Sequence, residues 1–185
     1  MAPNRFFHLA SGFVIPVMPK CGLSSTQSTI VKSINGKNFS DMKFDLRTIG
    51  RHTFKHDNKS ALVPIRDPFE RFRSAVWQVN RGSQVIAINE ILDGLEAGTY
   101  RDQHFQSQSD ILKGCEGCES VKLYRFPEDF QQMLIDGELD PLSQHRNKST
   151  DKPELTEDQT ERVAALYAED IKLRASIIEI GRAHV

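Results

Sequence analysis

No apolar run in the chain approaches the roughly 20 residues that a membrane-spanning helix needs. Net charge is almost absent: 24 Lys and Arg stand against 25 Asp and Glu, a formal charge of -1. That balance removes the global basic field expected of a nucleic-acid binder, so any anion site has to be local. Cysteine is scarce, and three residues in a chain of 185 do not make a disulfide framework. Cys115 and Cys118 form a C-x-x-C, but no second pair or histidine set completes a zinc site. A convincing leader is missing too, because Arg5–Phe6–Phe7 runs straight into the first expected strand. These absences lead to the expectation of a protein of the reducing cytoplasm, with no membrane span and no nucleic-acid partner.

What is present suits one globular domain spanning residues 1–185. Residues 13–18 are apolar and β-branched and predict a buried strand. Residues 25–34 predict a helix that stops at Asn35–Gly36. Residues 43–48 alternate like a second, half-exposed strand, and residues 50–60 read as a polar loop or broken helix. Residues 61–66 form the next strand, in which Pro64 favours an edge or a strand end. Asp67–Pro68–Phe69–Glu70 is a helix start, with Asp67 as N-cap, Pro68 in the first turn and Glu70 as the returning arm of a capping box. Phe69, Phe72, Val76 and Val79 share one face of that helix. A further helix over 84–96, a strand over 121–126, a short helix to Ile135 and a polar loop over 136–153 follow. Thr156 to Gln159 is a second capping box, opening a helix striped by Val163, Leu166, Tyr167 and Ile171. Strands alternating with helices imply an α/β fold of three layers, a mostly parallel sheet flanked by helices. Such folds bind ligands beyond the carboxyl ends of their strands.

One stretch organises the rest. Val14–Ile15–Pro16–Val17–Met18 leads through Pro19–Lys20–Cys21–Gly22–Leu23 into Ser24–Ser25–Thr26. Strand, small polar loop and helix start together present backbone N–H groups and a helix dipole to an anion. Lys20 adds a full positive charge. The pattern G-x-x-x-x-G-K-[ST] is absent, since Lys20 precedes Gly22. There is also no obvious acidic residue at a strand end for magnesium. The expected ligand is therefore phosphate or sulfate, held by Lys, hydroxyls and N–H groups without a metal. Arg66, at the end of another expected strand, offers a second anion contact.

Two motifs resemble those of the sulfotransferases that use 3′-phosphoadenosine 5′-phosphosulfate (PAPS). Pro19–Lys20–Cys21–Gly22–Leu23–Ser24–Ser25 resembles the family's 5′-phosphosulfate loop. Arg66–Asp67–Pro68–Phe69–Glu70–Arg71–Phe72–Arg73–Ser74–Ala75 resembles its 3′-phosphate motif, in which an Arg at a strand end and a Ser two helical turns later hold the nucleotide's 3′-phosphate. The form is closest to the carbohydrate-type branch. Weaker echoes are His104 with Gln108, the segment Asn147–Lys148–Ser149, and Leu166–Tyr167 with Asp170. Departures are Leu23, where the family often has a hydroxyl, and Val76–Trp77, where an aromatic commonly comes first.

The resemblance implies a small soluble member with a P-loop-like nucleotide-binding sulfotransferase fold. It implies PAPS as donor, with no metal, and a hydroxyl of a glycan or small metabolite as acceptor. Lys20, Cys21, Gly22, Leu23, Ser24, Ser25 and Thr26 would surround the 5′-phosphosulfate, and Arg66 and Ser74 the 3′-phosphate. Asn147, Lys148 and Ser149 would add nucleotide contacts. Lys20 would also act in catalysis, by neutralising charge on the departing bridging oxygen. The acceptor needs a general base, for which His52, His56 and His104 are candidates, His52 slightly favoured, with Asp45 as a carboxylate alternative. A metal-dependent, kinase-like phosphotransferase and a non-catalytic binder of nucleotides or sulfated ligands are the alternatives. Arg71 and Arg73 are expected to pair with Glu70 and solvent.

Overall fold

Short apolar runs near the start of the chain pair with each other. Strand β1 (Phe6–His8) lies antiparallel to β2 (Val14–Pro16), with Phe6 opposite Pro16 and His8 opposite Val14. Gly12, at a φ of 91°, turns the chain between them, and the Leu9 N–H donates to the Phe13 carbonyl. The computed structural model describes residues 6–9, 11–35, 59–82, 85–140 and 151–182. The expected strand over 43–48 and most of the loop over 50–60 lie outside the described residues.

After β2 come helix α1 (Leu23–Asn35), strand β3 (Ser60–Arg66), helices α2 (Pro68–Val79), α3 (Ile88–Glu96) and α4 (Gln108–Leu112), and strand β4 (Ser120–Phe126). Helices α5 (Phe130–Asp136), α6 (Glu157–Leu166) and α7 (Ala168–Arg182) complete the order. The four strands form one sheet in the order β1-β2-β3-β4. It is an α/β arrangement, but the expected mostly parallel sheet is a mixed one: β2 and β3 run parallel, while β1 folds back on β2. The starts of β3 and β4 lie side by side, joined by Ser120 Oγ–H donating to Ser60 Oγ at 2.8 Å.

Pro64 sits in an interior strand and not at an edge, contrary to its sequence reading. Val14 lies beside Ala61, so β2, which stops at Pro16, ends before the level of Pro64. On the β2 side, the missing N–H at Pro64 therefore costs no ladder bond.

The described residues group into two compact units. The first covers residues 1–65 and 110–147, the second 66–109 and 148–185. The first unit buries Phe7, Ile15, Leu62 and Tyr124 of the sheet against Ile30 of α1 and Phe130, Met133 and Leu134 of α5. The second buries Phe72, Ala75 and Val76 of α2 with Ile91, Leu92, Phe105, Val163 and Tyr167. The expected apolar face of α2 is therefore its core face.

Local chemistry adjusts several boundaries. Helix α3 starts at Ile88 and not at 84, because the Asn80 side chain grips Ile86 through its N–H (2.9 Å) and its carbonyl (3.0 Å), and Ala87 is extended. The last predicted helix is two helices. Tyr167 leaves helical geometry at φ -115°, ψ 29°, where its buried hydroxyl donates to the Phe105 carbonyl at 2.7 Å. The Thr156–Gln159 capping box forms as the sequence predicts.

The first unit carries a built-in acid sensitivity. Asp136 accepts from Lys122, from the buried Tyr124 hydroxyl and from Gln132. These bonds, that of Lys122 foremost, hold its pKa at about 2 against an ordinary 3.8. A depressed carboxylate contributes stability that is fully present above its unfolded pKa and is lost as pH falls toward the folded one. Unfolding free energy should therefore drop between about pH 4 and pH 2. Asp136→Asn should flatten that segment of a urea-unfolding series, and an unchanged acid limb would refute this assignment.

Candidate functional site

The loop after β2 has an unusual backbone. Lys20 and Gly22 both have positive φ, 67° and 77°. A left-handed lysine costs roughly 1–2 kcal/mol, and strain of this kind gathers at functional loops. At Gly22 two constraints coincide. A Cβ there would lie 2.7 Å from the Phe126 ring and 2.9 Å from the Phe130 ring, so only glycine fits both the dihedral and the space. Helix α1 begins immediately afterwards, and its first helical bond is Thr26 N–H to Gly22 O at 2.8 Å. The N–H groups of Leu23, Ser24 and Ser25 precede that bond, at the positive end of the helix dipole.

The side chains of this loop divide by face. Cys21, Ser25 and Thr26 are buried, each at most 2% exposed. The Thr26 hydroxyl turns back to donate to the Gly22 carbonyl at 3.2 Å, and Thr29 does the same to Ser25 O at 3.1 Å. Ser24 is the exposed hydroxyl of the set and Lys20 is half-buried. Leu23 packs against the core of the first unit.

The second motif is local to β3 and α2. The Asp67 carboxylate caps α2 by accepting from the Glu70 N–H at 2.9 Å. Glu70 does not return the bond as the sequence reading expected. Its Oε1 accepts from Arg73 at 2.9 Å, and its Oε2 pairs with Lys152 and lies 3.6 Å from Arg66. Three cations on one carboxylate outcompete a capping arm and lower the Glu70 pKa, through the Lys152 bond above all. Arg73 also donates to Pro153 O at 2.7 Å and pairs with Glu154, fastening the segment 151–155 to α2. Ser74, two turns beyond Arg66, is 3% exposed.

Arg71 corrects another expectation. It is fully buried, not shared with solvent, and its guanidinium donates to Gln106 O. It belongs to a group that holds the backbone around Arg66. The Gln108 side chain accepts from the Arg66 N–H at 2.8 Å and donates to the Arg66 carbonyl at 2.9 Å. Asp170, wholly buried, accepts from the N–H groups of Gln108 and Ser109, each at 2.8 Å, and so caps α4 from α7. The resemblance pointed to Gln108 and Asp170 without a role, whereas the structure puts the Gln108 side chain on the backbone of Arg66 and Asp170 behind Gln108. Their separation of 62 residues left no local signal.

His104 is the one candidate base among the described residues. Its Nδ1–H donates to the Asp102 carboxylate at 2.7 Å, and Asp102 also accepts its backbone N–H. That tautomer leaves Nε2 as the proton-accepting nitrogen. His52, His56, Asp45, Asn147, Lys148 and Ser149 lie outside the described residues.

Cys115 and Cys118 are free thiols in contact. Burial and its neighbour push the Cys115 thiol up to about 12, which keeps it protonated and poorly nucleophilic. Among the described residues no cluster of three or more His, Cys, Asp or Glu could hold a metal ion. No helix among them is long and apolar enough to cross a membrane. Compared with family models, with curated proteins and with solved structures, the chain matches none of them.

Proposed function

We propose that the protein is a PAPS-dependent sulfotransferase with a P-loop-like fold of the sulfotransferase kind, acting on a hydroxyl of a glycan or small metabolite. The observation that carries this reading is the motif from Arg66 to Ser74. An Arg at the end of β3, a capped α2 and a buried Ser two turns on combine in the order that the 3′-phosphate motif requires. The strained Lys20–Gly22 loop before α1 supports the second half of the reading.

In sulfuryl transfer the bond from sulfur to the bridging phosphate oxygen breaks as the acceptor oxygen attacks in line. The transition state is loose, and charge stabilisation dominates, as in phosphoryl transfer. Lys20 would neutralise the departing oxygen. The N–H groups at the start of α1 and the Ser24 hydroxyl would hold the 5′-phosphate. Arg66 would present its guanidinium fork to the 3′-phosphate. His52, His56 or His104 would accept the acceptor's proton, and of these His104 is held by Asp102. Adenosine 3′,5′-bisphosphate would leave as product.

The test is turnover of PAPS against a panel of hydroxyl acceptors. We expect sulfuryl transfer that Lys20→Ala lowers by about 100-fold or more, the scale of losing one charge-stabilising group. Bisphosphate binding without turnover on any acceptor would instead favour a non-catalytic binder. Leu23 specifically favours that second reading, since it fills a position where the family often supplies a hydroxyl.

A further inference from the structure

Glu70 stands between the two residues assigned to the 3′-phosphate. Glu70 and Ser74 are four residues apart on α2, and Glu70 also lies 3.6 Å from Arg66 at the end of β3. Glu70 Oε2 is the anionic oxygen between two cations, Arg66 at 3.6 Å and the Lys152 ammonium. Ser74 is shielded from solvent. Lys152 is not there by chance of a long surface side chain. Arg73 fastens its segment through Pro153 O and Glu154, and the Lys152 side chain is only 19% exposed. Lys152 also follows Asn147–Lys148–Ser149 closely in sequence.

We propose that Lys152 is a second cationic ligand of the 3′-phosphate and that Glu70 Oε2 occupies the phosphate's place in the free protein. This deepens the sulfotransferase reading and rests on it. Binding then exchanges one anion for another. A phosphate oxygen takes the position between Arg66 and Lys152, and Glu70 keeps its Oε1 bond to Arg73 while releasing the other oxygen. Arg66, Arg73 and Lys152 all stand within ion-pair distance of the Glu70 carboxylate, so an anion that replaces its Oε2 meets cations already in place. A carboxylate that competes for the ligand's place lowers the apparent affinity by the fraction of time it holds that place.

The experiment compares two probes by calorimetry, adenosine 3′,5′-bisphosphate and adenosine 5′-monophosphate, which lacks the 3′-phosphate. The wild type should prefer the bisphosphate. Lys152→Met, which keeps the stem and removes the charge, should shrink that preference about tenfold, in line with a lost charge-assisted contact. Glu70→Gln should strengthen bisphosphate binding several-fold and leave the monophosphate unchanged. Melting temperatures of both variants, read alongside, separate affinity from folding. Equal weakening of both probes by Lys152→Met would overturn the proposal, because it would make Lys152 merely structural. So would unchanged or weaker bisphosphate binding by Glu70→Gln. If the wild type prefers the bisphosphate and Arg66→Ala abolishes the preference while Lys152→Met preserves it, this inference fails and the sulfotransferase reading stands. If the wild type shows no preference, both fall.

Discussion

Replacing Arg66 with alanine should weaken binding of adenosine 3′,5′-bisphosphate by about 2–3 kcal/mol, or roughly 30- to 150-fold, with little change for adenosine 5′-monophosphate. The magnitude follows from removing a guanidinium that makes charge-assisted bonds to a phosphate. Gln108 holds the backbone N–H and carbonyl of Arg66 and not its side chain, so the clamp survives the change. The Arg66 pair with Glu70 at 3.6 Å is long and half-exposed on the Glu70 side, and a pair of that kind adds little stability. Arg66→Lys should fall between the two, since it keeps the charge without the planar fork. Calorimetric titration of the three proteins checks the order. Equal loss for both nucleotides would show that Arg66 does not read the 3′-phosphate.

Gly22→Ala should be strongly damaging for a change of one methyl group. The left-handed backbone at Gly22 costs a residue with a Cβ roughly 1–2 kcal/mol. The new methyl would also enter the space of Phe126 and Phe130, and overpacking of a filled core adds about 1–3 kcal/mol. The rings have little freedom to retreat. They pack edge to face, with centroids 5.2 Å apart, and Phe130 is wholly buried. Urea unfolding should show a loss of about 2–5 kcal/mol, the sum of those two costs. Any protein that remains folded should bind the bisphosphate less well, because the Lys20 loop would have to shift. A loss below about 0.5 kcal/mol, the range of ordinary surface substitutions, would mean that this loop is neither strained nor tightly packed.

Legibility in the sequence depended on how local each signal was. The Asp67–Pro68 start of α2, its Phe72 and Val76 core face, and the Thr156–Gln159 box all rest on contacts within a few residues, and each was readable. Strand β1 leaves no signal in the sequence because three residues carry no period. Its antiparallel pairing is what makes the sheet mixed. The break at Tyr167 was hidden because the apolar stripe continues across it, and the hydroxyl bond made there reaches Phe105, 62 residues away. The same holds at the candidate site. Residues 19–26 and 66–74 were legible as contiguous motifs. The inward turn of Thr26, the burial of Arg71, the pull of Lys152 on Glu70 and the Gln108–Asp170 support of Arg66 were not, because each depends on which groups the fold brings together. Propensity and spacing carry no information about partners at that range.

The central claim is a nucleotide site with two phosphate contacts that works without a divalent metal. Calorimetric titration of the purified protein with adenosine 3′,5′-bisphosphate in the presence of a chelator tests it most directly. The account predicts saturable one-to-one binding that magnesium does not strengthen and that Lys20→Ala and Arg66→Ala each weaken severely. No binding of the bisphosphate, together with tight magnesium-dependent binding of ATP, would contradict it and favour a kinase-like phosphotransferase.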